Sequence, residues 1–496
     1  ILAICIINFV NLSTSRATLR SKEIGVRKVT GASRTMLFAQ FMVESFWQVV
    51  VASLLAILIT NQSLPMVEAL IEESMIVSFT TENLLLLMGI LVFTVICSGA
   101  YPALIMSAYN PIKALKSKGL KDSNGSLGLR KMLTIVQVVA SAVIILISVV
   151  IYQQLDYMKN ENIGYDKEGI ILLEPTYSHI KGYDIFKNNL LSNHQIKAVG
   201  LADVNIVNTN NRSSTMEWPG MNEQSQFSFK KIGGDEGLVE ALGLEILDGD
   251  NLDGSDSIHQ IMISEEGVRH MGLENPVGQQ ILLNGSEVVI AGVVNDFYTE
   301  TLDKTRIPVV INEISAGQAG TIYIKYDRED VAESLAVITS EYNELEEYFS
   351  MKYSFLDEQY DKRYRSISVT SNISISVMLI SFLISMMGIV GLTTYNLIRR
   401  YKEAGIRKVF GANVMQILTL FLKDFLGIIV VANLIAIPVA YFFSNSWLDS
   451  FAYRIDLPVG SFAFITGVIL TIVMIIVGSM SFGAATTDPA KVIHEE

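Results

Sequence analysis

The sequence predicts a polytopic α-helical membrane protein, with about seven membrane helices, carrying an α+β extracytoplasmic domain. Three observations predict it. Apolar runs of membrane length recur along the chain, the connections between them alternate in charge, and a long acidic stretch separates the fourth run from the fifth.

Crossing the apolar slab of a bilayer takes about 20 helical residues. Runs of that kind lie at 1–14 (short), 36–60, 83–106, 132–152, 377–398, 414–443 and 460–483. Half of all residues are hydrophobic and the mean hydropathy is +0.40. The loops sort by sign. Residues 15–35 hold six Lys/Arg and one acid, 107–131 six and one, and 399–408 five and one. Residues 61–82 hold four acids and no base, and 444–459 one Arg against two Asp. Because basic loops stay in the cytoplasm, the charge pattern orients every helix, with 153–366 outside. The charge pattern thus leads to a multi-pass protein of the cytoplasmic membrane, with that domain outside it. The chain opens at Ile1 inside an apolar run, without Met or signal peptide, which reads as a sequence continuing upstream.

The net charge of −13 divides unevenly. Residues 153–366 carry 36 acidic and 17 basic side chains, and the remainder 14 acidic and 20 basic. A basic membrane part joined to an acidic outer part argues against nucleic acid as a partner. Within the outer stretch, 169–174 and 321–326 read as strands and 330–346 as a helix. Leu282-Leu-Asn-Gly-Ser-Glu-Val288 signals a hairpin, since Asn-Gly supplies the positive φ values of a tight turn. Residues 207–226, rich in Asn and Ser, read as a loop. Past Tyr152 and before the run at 377 the composition stays helical while turning polar, so two helical stalks are expected to carry this domain.

The chain also repeats itself. Lys22–Ala32 (KEIGVRKVTGA) and Lys402–Ala412 (KEAGIRKVFGA) agree at eight of eleven positions. Phe41 then matches Phe421, Glu44 falls opposite Asp424, and Asn110-Pro-Ile-Lys and Asp488-Pro-Ala-Lys close the two copies. A duplicated membrane module follows. Attraction to membrane lipid needs charge but not an ordered Lys-Glu-x-Gly-x-Arg-Lys. A protein surface docking on each copy does need that order. Gly25 and Gly31 are expected to interrupt the helix there. Glu44 and Asp424 stand as intramembrane acids, because a carboxylate about 18 Å along a helix lies at depth and needs a partner or a cavity. A protonated or hydrogen-bonded helix contact accounts for them equally well. Gly388, Gly391, Gly427, Gly467 and Gly478, with Ser479 and Ser481, point to close helix packing.

Enzyme signatures are missing. There is no GxxxxGK[ST] phosphate loop, no HExxH, no GxSxG and no Cys–His arrangement. The five histidines lack metal-ligand spacing, and Cys5 and Cys97 both sit in apolar runs. Asp296, in VVNDF, reads as a strand-end turn. No catalytic residue, cofactor or metal is expected.

The doubled patch, each copy followed by a long apolar helix, resembles the FtsX/MacB-type permeases of ABC transporters. ENPVGQQI (274–281), followed by VVIAGVVNDFYTETL (288–302), is similar to the MacB-type periplasmic core domain, and LRKMLTIVQ (129–137) to the opening of a second module in the two-module permeases. The resemblance implies a partition into 1–117 (end of the first module, three helices), 118–131 (cytoplasmic linker), 132–152 (first helix of the second module), 153–366 (core domain with stalks), 367–487 (three helices) and 488–496 (tail). It departs from the family in holding only three helices of the first module. It further implies a separate cytoplasmic ABC ATPase dimer whose work moves the outer domain, called mechanotransmission, in efflux, lipoprotein release or control of a cell-wall hydrolase. A periplasmic or envelope protein is the further partner implied. Docking of the ATPase would fall on Lys22, Glu23, Gly25, Arg27, Lys28, Gly31 and Ala32, and on Lys402, Glu403, Gly405, Arg407, Lys408, Gly411 and Ala412, with Arg27 and Arg407 as polar anchors. Two other classes stay open at this point. A membrane sensor would need a cytoplasmic output domain, for which no inner loop is long enough. A membrane-bound hydrolase would need a carboxylate pair that the sequence does not single out.

Overall fold

A computed structural model describes residues 1–71, 74–75, 80–107, 124–207, 216–221, 229–254, 259–300, 302, 304–346, 348–457 and 459–486. The segments NPIKAL (110–115) and DPAKVI (488–493), the tail, residues 118–123 of the 118–131 linker and most of the 207–226 loop lie outside them, while 124–131 already belong to a helix. The chain forms two compact units. One comprises 1–155, 369–448 and 455–496, and the other 156–368 with 449–454.

The first unit is helical. It opens with α1 (Leu2–Leu19), α2 (Ser21–Val29), α3 (Arg34–Ile71), α4 (Thr81–Ser107) and α5 (Asn124–Asn160), whose last residues pass into the second unit. The second unit then contributes α6 (Tyr177–Lys181), α7 (Tyr183–Leu191), α8 (Glu236–Leu242), α9 (Glu265–Met271) and α10 (Val331–Leu345). The chain returns through α11 (Leu356–Val409), α12 (Val414–Leu448) and α13 (Val459–Thr486). Among the described residues six helices are long and apolar enough to cross a membrane, and Leu2–Thr14 is a shorter apolar helix. Leu54, Leu58, Ile59, Leu85 and Leu86 are exposed on α3 and α4. Such surfaces are stable only against hydrocarbon.

Two helices outrun their apolar stretches. α5 continues past Tyr152 to Asn160, and α11 begins at Leu356, twenty-one residues before the run at 377. At 1.5 Å per residue the 54 residues of α11 amount to roughly 80 Å of helix. Neither extension contains Pro or Gly, so nothing in the backbone stops the helix where the side chains turn polar.

Among the described residues of the second unit eleven strands make one mixed sheet: β1 (Ile170–Leu173), β2 (Ile196–Ala202), β3 (Met216–Glu217), β4 (Lys230–Gly234), β5 (Ile246–Gly249), β6 (Gln260–Ser264), β7 (Gln280–Leu283), β8 (Ser286–Val294), β9 (Val309–Glu313), β10 (Thr321–Tyr326) and β11 (Tyr353–Phe355). Their order is β11-β1-β10-β2-β4-β9-β6-β8-β7-β3, with β5 also on β8. Only β4·β9 and β6·β8 pair in parallel. The β7–β8 hairpin turns at Asn284 (φ 51°) and Gly285 (φ 81°), the conformation its Asn-Gly pair calls for. Buried Ile171, Leu173, Val199, Leu201, Ile322 and Ile324 seat α7 and α10 on one face. Met158 of α5, Ile163 just after it, and Tyr360 and Tyr364 of α11 enter a second core with β1, β2 and β10.

Candidate functional site

Both copies of the basic element fold alike at their turn. In the first, Ile24 is buried against Leu37, Phe41, Ala103 and Met106. In the second, Ala404 meets Ile417 and Phe421, the same register positions. Gly31 (φ 105°) and Gly411 (φ 90°) then reverse the chain, and the amides of Ala32 and Ala412 donate to the carbonyls of Arg27 and Arg407, each at 2.9 Å. This is a left-handed glycine stop, which removes the steric penalty a side chain would bring. Gly25 and Gly405 behave otherwise. They lie within helices and are buried, so they do not interrupt the element as expected. In the second copy the element is unbroken helix, continuous with α11.

What each copy offers outward is a short charged and apolar ridge. Glu23 pairs with Arg27 at 2.8 Å, and Glu403 with Arg407 at 2.8 Å. Arg27 also donates to Gln40 (2.7 Å), and Lys28 to the Ser107 carbonyl (2.7 Å). The Arg20 guanidinium holds the Glu23 carboxyl below its ordinary range. Val26, Val29, Ile406, Val409 and Phe410 are exposed between these charges. The sequence shows Val26 and Val29 among the charges but does not mark them as part of a docking surface, although Val26/Ile406 and Val29/Val409 repeat in register. The side chains of Lys22 and Lys402 lie outside the described residues.

Glu44 has a partner that the sequence reading did not name. Arg20, at the end of α1, reaches both its oxygens at 3.1 Å and also lies 6.0 Å over the Phe41 ring. A cleft of about 480 Å³ surrounds the pair, lined by Phe9, Leu12, Pro102 and Met106 among others. Ion pairing accounts for this carboxylate, and the register could have found it, because Arg20 recurs as Arg400 just as Glu44 recurs as Asp424. The side chains of Arg400 and Asp424 lie outside the described residues.

A polar seam joins α1, α5 and α11. Asn8 donates to the Ile384 carbonyl (3.5 Å), Asn11 to the Thr134 hydroxyl (3.4 Å), and Ser148 to the Ser374 carbonyl (3.0 Å), while Ser141 bonds Ser385. Here glycine matters for space. A Cβ on Gly388 would come within 2.4 Å of the Gln137 amide, and one on Gly391 within 2.1 Å of Leu12. Gly427, Gly467 and Gly478 have open space instead, so they do not mark the close contacts expected of them. By register Asn8 and Asn11 are the counterparts of Gly388 and Gly391. The copies thus cross at equivalent positions, amide on one helix and space on the other.

Asp296 is structural. It accepts from the Glu266 amide at the start of α9 (2.6 Å) and pairs with Arg269 and Arg306. Among the described residues no group of three His, Cys, Asp or Glu could hold a metal ion.

Residues 1–111 and 375–489 match the C-terminal domain of FtsX-like permeases, once in each copy. Each copy of the membrane module is thus similar to the FtsX-like permeases. Solved structures similar to the chain include two outer-domain fragments. One is the periplasmic region of MacB from Actinobacillus actinomycetemcomitans, at 16% identity over 41% of this chain and 96% of that one, with a TM-score of 0.28. The other is the extracellular domain of the ABC-type transporter YknZ from Gram-positive bacteria, at 13% identity over 37% and 97%, with a TM-score of 0.26. No protein of curated function matches. The chain is a helical, multi-pass inner-membrane permease with an extracytoplasmic α+β domain.

Proposed function

We propose that this permease couples ATP hydrolysis by a separate cytoplasmic ATPase dimer to movement of its outer domain. The observation that carries the proposal is the pair of matching ridges. Each sets an arginine, held by the glutamate four residues before it, beside exposed apolar side chains on the basic side of the membrane. Arginine among apolar neighbours is what protein interfaces use as anchors. Two such ridges suit a partner with two equivalent sockets. Lys22, Lys28, Lys402 and Lys408 supply the surrounding positive field, and Gly31 and Gly411 the turns that set each ridge off from the next helix. The outer domain is the receiver of the motion, through α5 and α11. Its use in efflux, lipoprotein release or hydrolase control depends on an envelope partner.

Arg27→Glu with Arg407→Glu should leave the chain inserted and folded. The pair should abolish co-purification with the ATPase recovered from native membranes, and with it the stimulation of ATP hydrolysis. Undiminished ATPase binding by this variant would sink the docking proposal.

A further inference from the structure

Three stretches of chain that run directly into membrane helices end on one short segment of the outer domain, residues 295–300 and Leu302. The first follows α5. Ile163 accepts a backbone hydrogen bond from Tyr298 (2.8 Å), and Asn295 donates its side-chain amide to the Gly164 carbonyl (2.7 Å). Gly164 has φ 83°, and a Cβ there would stand 2.0 Å from the Asp296 carbonyl oxygen, so only glycine admits this approach. The second is the start of α11. Arg363 donates to the Thr299 carbonyl (3.0 Å), and the Tyr364 hydroxyl accepts from the Leu302 amide (3.1 Å).

The third is the connection between α12 and α13, whose residues 449–454 fold with the outer domain. The Tyr453 amide donates to the Leu302 carbonyl (3.3 Å), and its ring meets Tyr298 edge to face at 5.3 Å. Arg306 covers Tyr298, its guanidinium 4.1 Å from the ring centre, and is held by Asp296 at 3.1 Å. From inside the domain the fully buried Lys230 reaches the Thr299 carbonyl (3.3 Å). Burial pushes the Tyr298 hydroxyl up to about 12, so the ring presents a neutral face to both neighbours.

Leu302 shows what this arrangement does. Its N–H is taken by α11 and its C=O by the α12–α13 connection, while its side chain is fully buried. Hydrogen bonds lengthen little before they fail. A displacement of either stretch is therefore passed to the segment and, through Lys230 and the Phe297 side chain, to the sheet. We propose that residues 295–300 and Leu302 are the joint through which the membrane helices of the second copy move the outer domain, and that Tyr453 is a coupling residue acting on it beside α5 and α11. This rests on the mechanotransmission proposed above. Tyr453 is a positioning residue: it touches neither nucleotide nor cargo.

The test uses the full chain without its native cysteines (Cys5→Ala, Cys97→Ala), spin-labelled at Glu82→Cys and Glu274→Cys, with the ATPase that co-purifies from native membranes. Wild type should change its interlabel distance between nucleotide-free and ATP-bound states. Tyr453→Ala should keep ATPase binding and hydrolysis yet lose most of that change, and the residue-453 amide, which donates to the Leu302 carbonyl, should exchange about tenfold faster. Tyr453→Phe, which keeps the ring contact and loses only the hydroxyl that meets Tyr298, should retain most of the distance change. A Tyr453→Ala chain with the full distance change would overturn the joint while leaving mechanotransmission standing. No change in wild type itself would overturn both.

Discussion

Arg20 and Glu44 illustrate how a charged pair survives beside apolar helices. Each keeps about two-fifths of its side chain exposed, and the guanidinium faces both carboxylate oxygens. Arg20→Met should lower the unfolding temperature of the detergent-solubilised chain, because it leaves the Glu44 carboxyl without its partner. The Arg20→Met, Glu44→Met double variant should recover part of the loss. The coupling between them is expected to be on the order of 1 kcal/mol, the size found for polar contacts between membrane helices. Additive losses would show that the two do not act as a pair. At this scale the sequence was explicit about charge and silent about contact. Arg20 and Arg400 could be read from the register, but that Arg20 turns toward Glu44 depends on where α1 ends relative to α3.

At the scale of elements, the crossing of α1 and α11 rests on missing side chains. Leu12 fills the place that a side chain at Gly391 would occupy, and Asn8 with Gln137 fills that of Gly388. Gly391→Ala should destabilise the first unit by about 1–3 kcal/mol, the usual cost of overpacking a fitted contact. Leu12→Ala in the same chain should restore part of it, which thermal unfolding of the single and double variants would show. Equal effects in the presence and absence of Leu12 would exclude the contact as the cause. The glycines were legible as a class, but their roles were not. Gly388 and Gly391 differ from Gly427, Gly467 and Gly478 only by which helix lies opposite.

For the whole molecule, the charge alternation and the folded units lead to one topology. In a chain with Cys5→Ala and Cys97→Ala, Ser33→Cys and Asn413→Cys occupy equivalent exposed positions after the two basic ridges. Both should react with a membrane-impermeant thiol reagent only after the cells are permeabilised. Glu82→Cys and Asp456→Cys should react in intact cells. Labelling of Ser33→Cys from outside would reverse the orientation on which the docking proposal depends. The −19 balance of residues 153–366 fits this arrangement, since an acidic domain and basic loops stand on opposite sides of the membrane.

Helix number, orientation, duplication and the hairpin at Asn284-Gly285 follow from the sequence, because hydropathy, loop charge, register and turn stereochemistry are each local properties of the chain. Three features were decided only by tertiary structure. One is the pairing of Arg20 with Glu44, another the fit of Leu12 against Gly391. The third is the meeting of Ile163, Tyr364 and Tyr453 around residues 295–300 and Leu302. Each brings together side chains or backbone groups far apart in sequence, and no local pattern records such a distance. The same holds for Gly25, whose place inside a helix was fixed by the packing of Ile24 beneath it, against the weak preference of glycine to break helices.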